Sequence, residues 1–488
     1  MKLNIKSLFL DNISLKQTLF KNTFWLIAAE VVSAFLRLGL FIYVARILGA
    51  TEYGKFAFAL SFVSVMVVFS NLGITDIVTR EFSRNKEKEK EFPAILVLQI
   101  ILSIGAFILM FIGSFFITAD LMVQKTIWVL AIFILITGLF SVFYSFLRSR
   151  QRMEYEAGIK IVQNIIMVAL VIFALQYQLS IVDLSYVYLL SNVIVLSLIA
   201  FLFNAFIQPV RLVFDKNIFG LLKISWPLTL TNTTIWFYMS ISSIILGYFS
   251  LNIENGLYNA ASRIAVITVL PATLIIASFY PVLSNFFITS KEKIHRSWDY
   301  LMQLMIFLAI PLVFGGIAVA PKIIIFFYGE EFTPAVFAFR VLILLVGINF
   351  VNYPYSLLLV VSDQQKKNFF LIVAMIVINI GLNITLVPLY GLNGTLIATS
   401  ISSLLTLVIS VLISKYFTPV PIFDMKLFKA TVLSLFSGLI MFFSIGWPKI
   451  YNLHILAVIL IGMCIYFLIA FLCFSLYKKA LKIYQPVT

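Results

Sequence analysis

Residues 93–117 read PAILVLQIILSIGAFILMFIGSFFI, twenty-five positions without a charge. A membrane-spanning helix needs about 20 consecutive apolar residues, whereas a transmembrane barrel strand alternates over segments of about ten. This run is continuous, so it reads as a helix in lipid. Outward from it, runs of the same kind recur at 24–47, 56–78, 126–147, 159–177, 183–207, 224–249, 256–287, 300–320, 335–361, 369–388, 393–414, 430–446 and 454–476. The expected fold class is therefore an all-α polytopic membrane protein with about fourteen transmembrane helices. A mean hydropathy of +1.08 and a composition 62% hydrophobic and 11% charged exclude a soluble enzyme or binding domain of ordinary kind.

The basic residues crowd alternate loops. One side carries the N-terminal lysines, the stretch Arg80 to Lys90, Arg148 to Arg152 with Lys160, Arg211 to Lys223, Lys291 to Arg296, Lys366 and Lys367, Lys415 to Lys429, and Lys478 to Lys482. The other side carries Arg46, Lys55, Lys125, Lys322 and Lys449. By the positive-inside rule the crowded side and both termini are cytoplasmic, which places the chain in the inner (plasma) membrane. The net charge of +15 is thereby a topology signal, and no nucleic-acid partner is expected.

Residues 1–21 interleave apolar and charged positions, as an interfacial segment does, and no cleavage site follows the first apolar run, so no processing is expected. Cys464 and Cys473 share the last span and read as small apolar fillers. His295 and His454 lack ligand-like spacing, so no metal and no cofactor are expected. Gly49-Ala50-Thr51-Glu52-Tyr53-Gly54-Lys55 has the spacing of a phosphate loop, but Phe56 replaces the hydroxyl residue that would hold Mg²⁺ and Glu52 would sit in the phosphate cradle. The expectation is a transporter without nucleotide hydrolysis, not an enzyme.

The same segment recurs. Ile47-Leu48-Gly49, Glu52, Gly54, Phe56 and Ala59 match Ile245-Leu246-Gly247, Glu254, Gly256, Tyr258 and Ala261. Both copies join an odd-numbered span to the next across an outer turn, so they share one orientation. That predicts two six-helix lobes, 22–208 and 209–415, related by a pseudo-two-fold axis along the membrane normal, with two C-terminal helices in 416–488.

Three arginines lie inside apolar spans: Arg37, Arg263 and Arg340, accompanied by Glu30. An arginine at the centre of a membrane helix costs about 2.5–3.5 kcal/mol on insertion scales, so each is expected to face protein, water or an anionic ligand. Glu30 and Arg37, two turns apart on one face, either line a cavity or pair with each other. Arg340 either lines the path or snorkels to the outer interface. Pro227 with Thr229, Thr231, Asn232, Thr233 and Thr234, and Asn349 and Asn352 with Pro354, predict interruptions in the seventh and tenth spans. Asn379 and Asn383 share a face of the eleventh, where they either line the path or make interhelical hydrogen bonds without a ligand. Asp76, near the inner end of the second span, is either a gate contact or a marker of the interface.

The opening Asn22-Thr23-Phe24, the sequence Ala45-Arg46-Ile47-Leu48-Gly49 with Glu52-Tyr53-Gly54, Asn255-Gly256-Leu257-Tyr258 with Ala261, and Val387-Pro388-Leu389-Tyr390-Gly391-Leu392-Asn393-Gly394 before Ala398-Thr399 resemble polysaccharide repeat-unit flippases. These are the O-antigen and capsule transporters of the multidrug/oligosaccharidyl-lipid/polysaccharide exporter superfamily. The resemblance spans essentially the whole chain. It implies a two-lobed, V-shaped bundle that moves undecaprenyl-diphosphate-linked oligosaccharide from the cytoplasmic to the outer leaflet, with polymerase and chain-length machinery as partners. Arginine suits bidentate contacts with diphosphate, so Arg37 and Arg263 are expected to hold it, with Arg340 a weaker third. Glu30 and Asp76 are the carboxylates nominated for H⁺ or Na⁺ coupling or gating. Members of the family often carry an Asp followed by a basic residue late in the seventh span, and this chain has Ser242 and Ser243 there. The alternative function is a drug or organic-cation antiporter of the same superfamily, which wants an acidic lumen. A non-transporting scaffold would need no polar path at all.

Overall fold

The computed structural model describes residues 12–177, 179–206, 209, 211–215, 218, 220–418 and 425–483. Side chains of 206, 223, 224, 226–236, 426 and 474–483 are outside that description, as is most of the N-terminal segment 1–21. The break expected from Pro227 to Thr234 does not interrupt the backbone, which is helical from Gly220 to Tyr248. Among the described residues there are helices and no strand. The fold is an all-α polytopic membrane architecture. Eleven helical runs are long and apolar enough to cross a membrane.

Two of those runs hold two crossings each. Helix α1 (Leu15–Asn71) has 57 residues and α12 (Gln365–Phe417) has 53. Straight helices of that length would measure about 80–85 Å against a hydrocarbon core of about 30 Å. The backbone leaves helical geometry at one residue in each, Gly49 (φ 71°) and Gly391 (φ 53°), conformations that glycine adopts without a Cβ clash. The connectors expected between spans 1 and 2 and between spans 11 and 12 thus shrink to a single non-helical glycine.

By its contacts the chain forms two compact units, Met1–Gly256 and Leu257–Thr488. The first contains α1, α2 (Ile74–Arg84), α3 (Phe92–Ile117), α4 (Leu121–Ser149), α5 (Met153–Leu175), α6 (Ile181–Phe206), α7 (Gly220–Tyr248) and the start of α8 (Asn252–Ile267). The repeat assigns α7 to the second lobe, yet α7 packs on α1 and α2 inside the first unit. An aromatic knot binds α3, α4 and α6: Phe92 lies 4.8 Å from Phe146 and Phe143 lies 4.6 Å from Phe203, all four rings buried. Such pairs contribute about 0.5–1.5 kcal/mol each beyond area burial.

The second unit contains the rest of α8, then α9 (Leu270–Thr289), α10 (Lys291–Tyr328), α11 (Ala335–Val361), α12, α13 (Met425–Ile445), the short α14 (Pro448–Tyr451) and α15 (Ile455–Ile483). The expected eighth span breaks at Thr268 and Val269, and Pro271 stands in the first turn of the helix that follows, where the N–H it lacks would have no helical partner. The interruption expected at Asn349–Pro354 does not occur. Helix α11 runs unbroken through Pro354, as α10 does through Pro311 and Pro321, and proline inside a helix is tolerated in membrane bundles. Spans 13 and 14 pack on α10 through Ile310, Val319, Met441, Ile445 and Val458. Tyr466 donates from its hydroxyl to the Phe307 carbonyl at 2.8 Å.

Candidate functional site

Glu30 and Arg37 stand on one face of α1, and the longer reach of arginine closes the two-turn gap: Arg37 Nη2 donates to Glu30 Oε1 at 2.8 Å. Both side chains keep access to the surroundings, at 43% and 55% exposure. Of the two expectations, pairing is the one the structure contains. With Arg37 paired to Glu30, the surplus of positive charge in the apolar spans rests on Arg263 and Arg340.

Asp76 lies outside the second span. The chain turns at Leu72 and Gly73, both with positive φ, and Asp76 falls in the first turn of α2, exposed and within electrostatic reach of Arg148. A carboxylate at a helix N-terminus is favourable on its own account. Arg263 and Arg340 belong to the second unit. Arg263 is half-buried in the last turns of α8, four residues before that helix ends at Ile267. Arg340 is exposed in the second turn of α11.

The repeated segment folds back on itself within the first unit. A Cβ on Gly54 would stand 1.8 Å from the Asn252 carbonyl oxygen, and a Cβ on Gly256 would stand 2.0 Å from the Ala50 carbonyl oxygen. In each copy the carbonyl belongs to the residue four before the matching glycine, so the contact is reciprocal. Asn255 fastens it, donating from Nδ2 to the Gly54 carbonyl at 2.8 Å and accepting from Ser243 Oγ at 2.8 Å. Ser243, late in α7, thereby serves this junction. The two copies of I-L-G differ in use. Gly49 supplies a turn, whereas a Cβ on Gly247 would meet the Phe58 ring at 2.2 Å, and the second turn falls instead at Ser250, φ 59°.

Ionic contacts that sequence reasoning treated as loop charge form a cluster at the other end of the first unit. Glu156 is fully buried and accepts both Nε and Nη2 of Arg148, at 2.7 and 2.6 Å, as well as Lys160 Nζ at 2.7 Å. Lys21, also fully buried, reaches Glu154 at 2.8 Å, and Asn22 donates to Gln151 Oε1 at 2.6 Å. A signal was present, since Glu154 and Glu156 interrupt a run of basic residues, but partners 133 positions apart have no local signature. In the connector between the second and third spans, the hydrogen bond from Lys88, with its charge, holds the Glu81 carboxyl below its usual range.

In the second unit Asn379 donates to Ser402 Oγ at 3.1 Å, and Asn383 Nδ2 returns to Asn379 Oδ1 at 3.0 Å. All three are buried. These groups cross-link the two halves of α12 on either side of Gly391.

The helical bundle, its glycine-bent spans and its intramembrane ion pair define an all-α polytopic membrane protein. The chain belongs to the polysaccharide biosynthesis protein family, whose model matches residues 19–287. A probable flippase AglR from Haloferax volcanii is 32% identical over 178 residues, spanning 36% of this chain and 37% of that protein. A probable low-salt glycan biosynthesis flippase, Agl15, from the same organism is 22% identical over 457 residues, covering 91% of this chain and 92% of the relative. The fold is similar to that of the lipid II flippase MurJ in an inward closed conformation, with TM-score 0.73 and 18% identity over 93% of this chain and 99% of that one. It also resembles an inward-facing multidrug resistance MATE family transporter of the MOP superfamily, with TM-score 0.65 and 17% identity over 79% of this chain and 94% of the other.

Proposed function

We propose that this protein is a flippase that carries undecaprenyl-diphosphate-linked oligosaccharide from the cytoplasmic to the outer leaflet for surface glycan synthesis. The observation that carries this reading is the Glu30–Arg37 pair, a carboxyl and a guanidinium bonded within a membrane helix and still accessible to their surroundings. Intramembrane charge of this kind marks a ligand or ion path. Membership in the polysaccharide biosynthesis family and the flippase names of two relatives support the same reading.

In the proposed cycle the two lobes alternate access, and Arg37, Arg263 and Arg340 contact the diphosphate while the polyprenyl tail stays in lipid. Glu30 is the coupling group: protonation or a bound cation at its carboxylate frees the Arg37 fork for phosphate, and cargo release lets the pair re-form. Asp76 acts as a gate contact through the field it exerts on Arg148. The protein works in the inner (plasma) membrane with both termini cytoplasmic, beside the polymerase and chain-length machinery. Depletion followed by leaflet-resolved mass spectrometry of lipid-linked glycan tests this. Accumulation on the cytoplasmic leaflet is the expected result. Unchanged lipid-linked glycan together with raised sensitivity to cationic dyes would refute it in favour of an antiporter.

A further inference from the structure

The turn between spans 13 and 14 forms a feature that the proposed transport path does not use. Helix α14 and residues 453–455 close over the end of α10 that lies away from the lysine- and arginine-rich loops, the outer end by the positive-inside reading. Between them lies an open cavity of about 470 Å³, within the range of about 300–1,000 Å³ usual for ligand sites. Lys322, Tyr451 and His454 line it with donors, Ile325 and Phe326 line it with apolar surface, and no carboxylate is among its lining residues.

The donors are held in place. Lys322 Nζ donates to the Leu453 carbonyl at 2.7 Å and lies 4.7 Å from the centroid of the Tyr451 ring. An ammonium has three N–H donors, so one fixed bond leaves two for a ligand. His454 stands edge-on to Phe326 at 5.7 Å, and its Nδ1 accepts the Leu456 backbone N–H at 3.4 Å, which leaves Nε2 for a ligand. Beyond the cavity, Leu456 and Leu460 expose an apolar strip one turn apart on α15. Trp447, 63% exposed, and Tyr451 mark the level at which aromatic rings meet lipid headgroups.

We propose that this cavity binds the phosphodiester headgroup of an outer-leaflet anionic phospholipid. Lys322 and His454 donate to the phosphate oxygens, and an acyl chain runs over Phe326, Leu456 and Leu460. Charge complementarity selects an anion, and the apolar wall, from which free phosphate gains nothing, selects a lipid. The site stands independently of the proposed cargo.

The test is native mass spectrometry of the full-length protein in detergent, with phosphatidylglycerol or phosphatidylcholine added. Lys322→Gln keeps a donor for the Leu453 carbonyl and removes the charge. His454→Gln leaves that contact untouched and so separates ligand binding from folding. Wild type and Lys449→Gln, whose charge lies outside the lining, are expected to retain one phosphatidylglycerol. Lys322→Gln is expected to lower its occupancy at least fivefold and His454→Gln at least twofold. Equal retention by wild type and Lys322→Gln overturns the proposal. Displacement of the lipid by millimolar inorganic phosphate, or preferential binding of a polyprenyl phosphate, overturns the assignment of a phospholipid as the occupant.

Discussion

Alanine at Gly54 or Gly256 tests whether the repeat junction is closed by backbone contact. The Cβ of Gly54→Ala would lie 1.8 Å from the Asn252 carbonyl oxygen, against the 3.4 Å at which ordinary contact begins, so the two segments must part by about 1.6 Å. No flexible side chain is available to yield, because the obstructing atoms are backbone. Overpacking of this kind costs about 1–3 kcal/mol. The parting also strains the Asn255 to Gly54 hydrogen bond, and bonds of that kind in membrane bundles average about 0.6 kcal/mol. Gly54→Ala is therefore expected to lose about 2–3.5 kcal/mol. Gly256→Ala meets the Ala50 carbonyl at 2.0 Å and should lose a similar amount. Once either substitution has separated the segments the other has room, so the double variant should cost clearly less than the sum, with a coupling of about 1–2 kcal/mol. Gly39→Ala and Gly105→Ala, where nothing lies within 4 Å, serve as controls and should be neutral or slightly stabilising. Denaturant unfolding in detergent micelles measures all five variants. Wild-type stability for Gly54→Ala, or strict additivity in the double variant, would refute the reciprocal contact.

Arg37→Ala is expected to abolish glycan export and Glu30→Gln to impair it, both with near wild-type stability because the pair is half exposed; complementation of surface glycan with an expression control decides this. Glu156→Gln leaves Arg148 and Lys160 beside a neutral amide. Breaking a fully buried pair costs about 3–5 kcal/mol, but Arg148 is 37% exposed, so a loss of about 1–3 kcal/mol is expected in the same unfolding assay. Tyr466→Phe removes the hydroxyl bonded to Phe307 and should cost about 0.5–1.5 kcal/mol, read as a lowered midpoint with unchanged packing of spans 13 and 14 on α10.

The class of this protein was legible in sequence because bilayer thickness imposes a length on every apolar run, and that constraint is local. The segment 93–117 alone excludes a barrel, and the recurring Ile-Leu-Gly and Glu-x-Gly pattern announces an internal duplication. That a crossing ends near residue 49 and near 391 was legible in the same way, but that a single non-helical glycine makes each turn was decided by the structure. What pairs with what was not local. Glu30 and Arg37 are seven residues apart, yet whether they joined or faced a cavity separately depended on rotamers that spacing does not set. Lys21 with Glu154, Arg148 with Glu156, and Gly54 against Asn252 join positions that meet only after the helices pack. Loop charges read as topology markers became buried ion pairs for that reason, and the expected break at Pro354 is absent because a helix within a membrane bundle tolerates proline. Hydropathy acts along the chain and could be read from it, whereas hydrogen bonds, ion pairs and close backbone contacts act across it, and only the packed structure decides their partners.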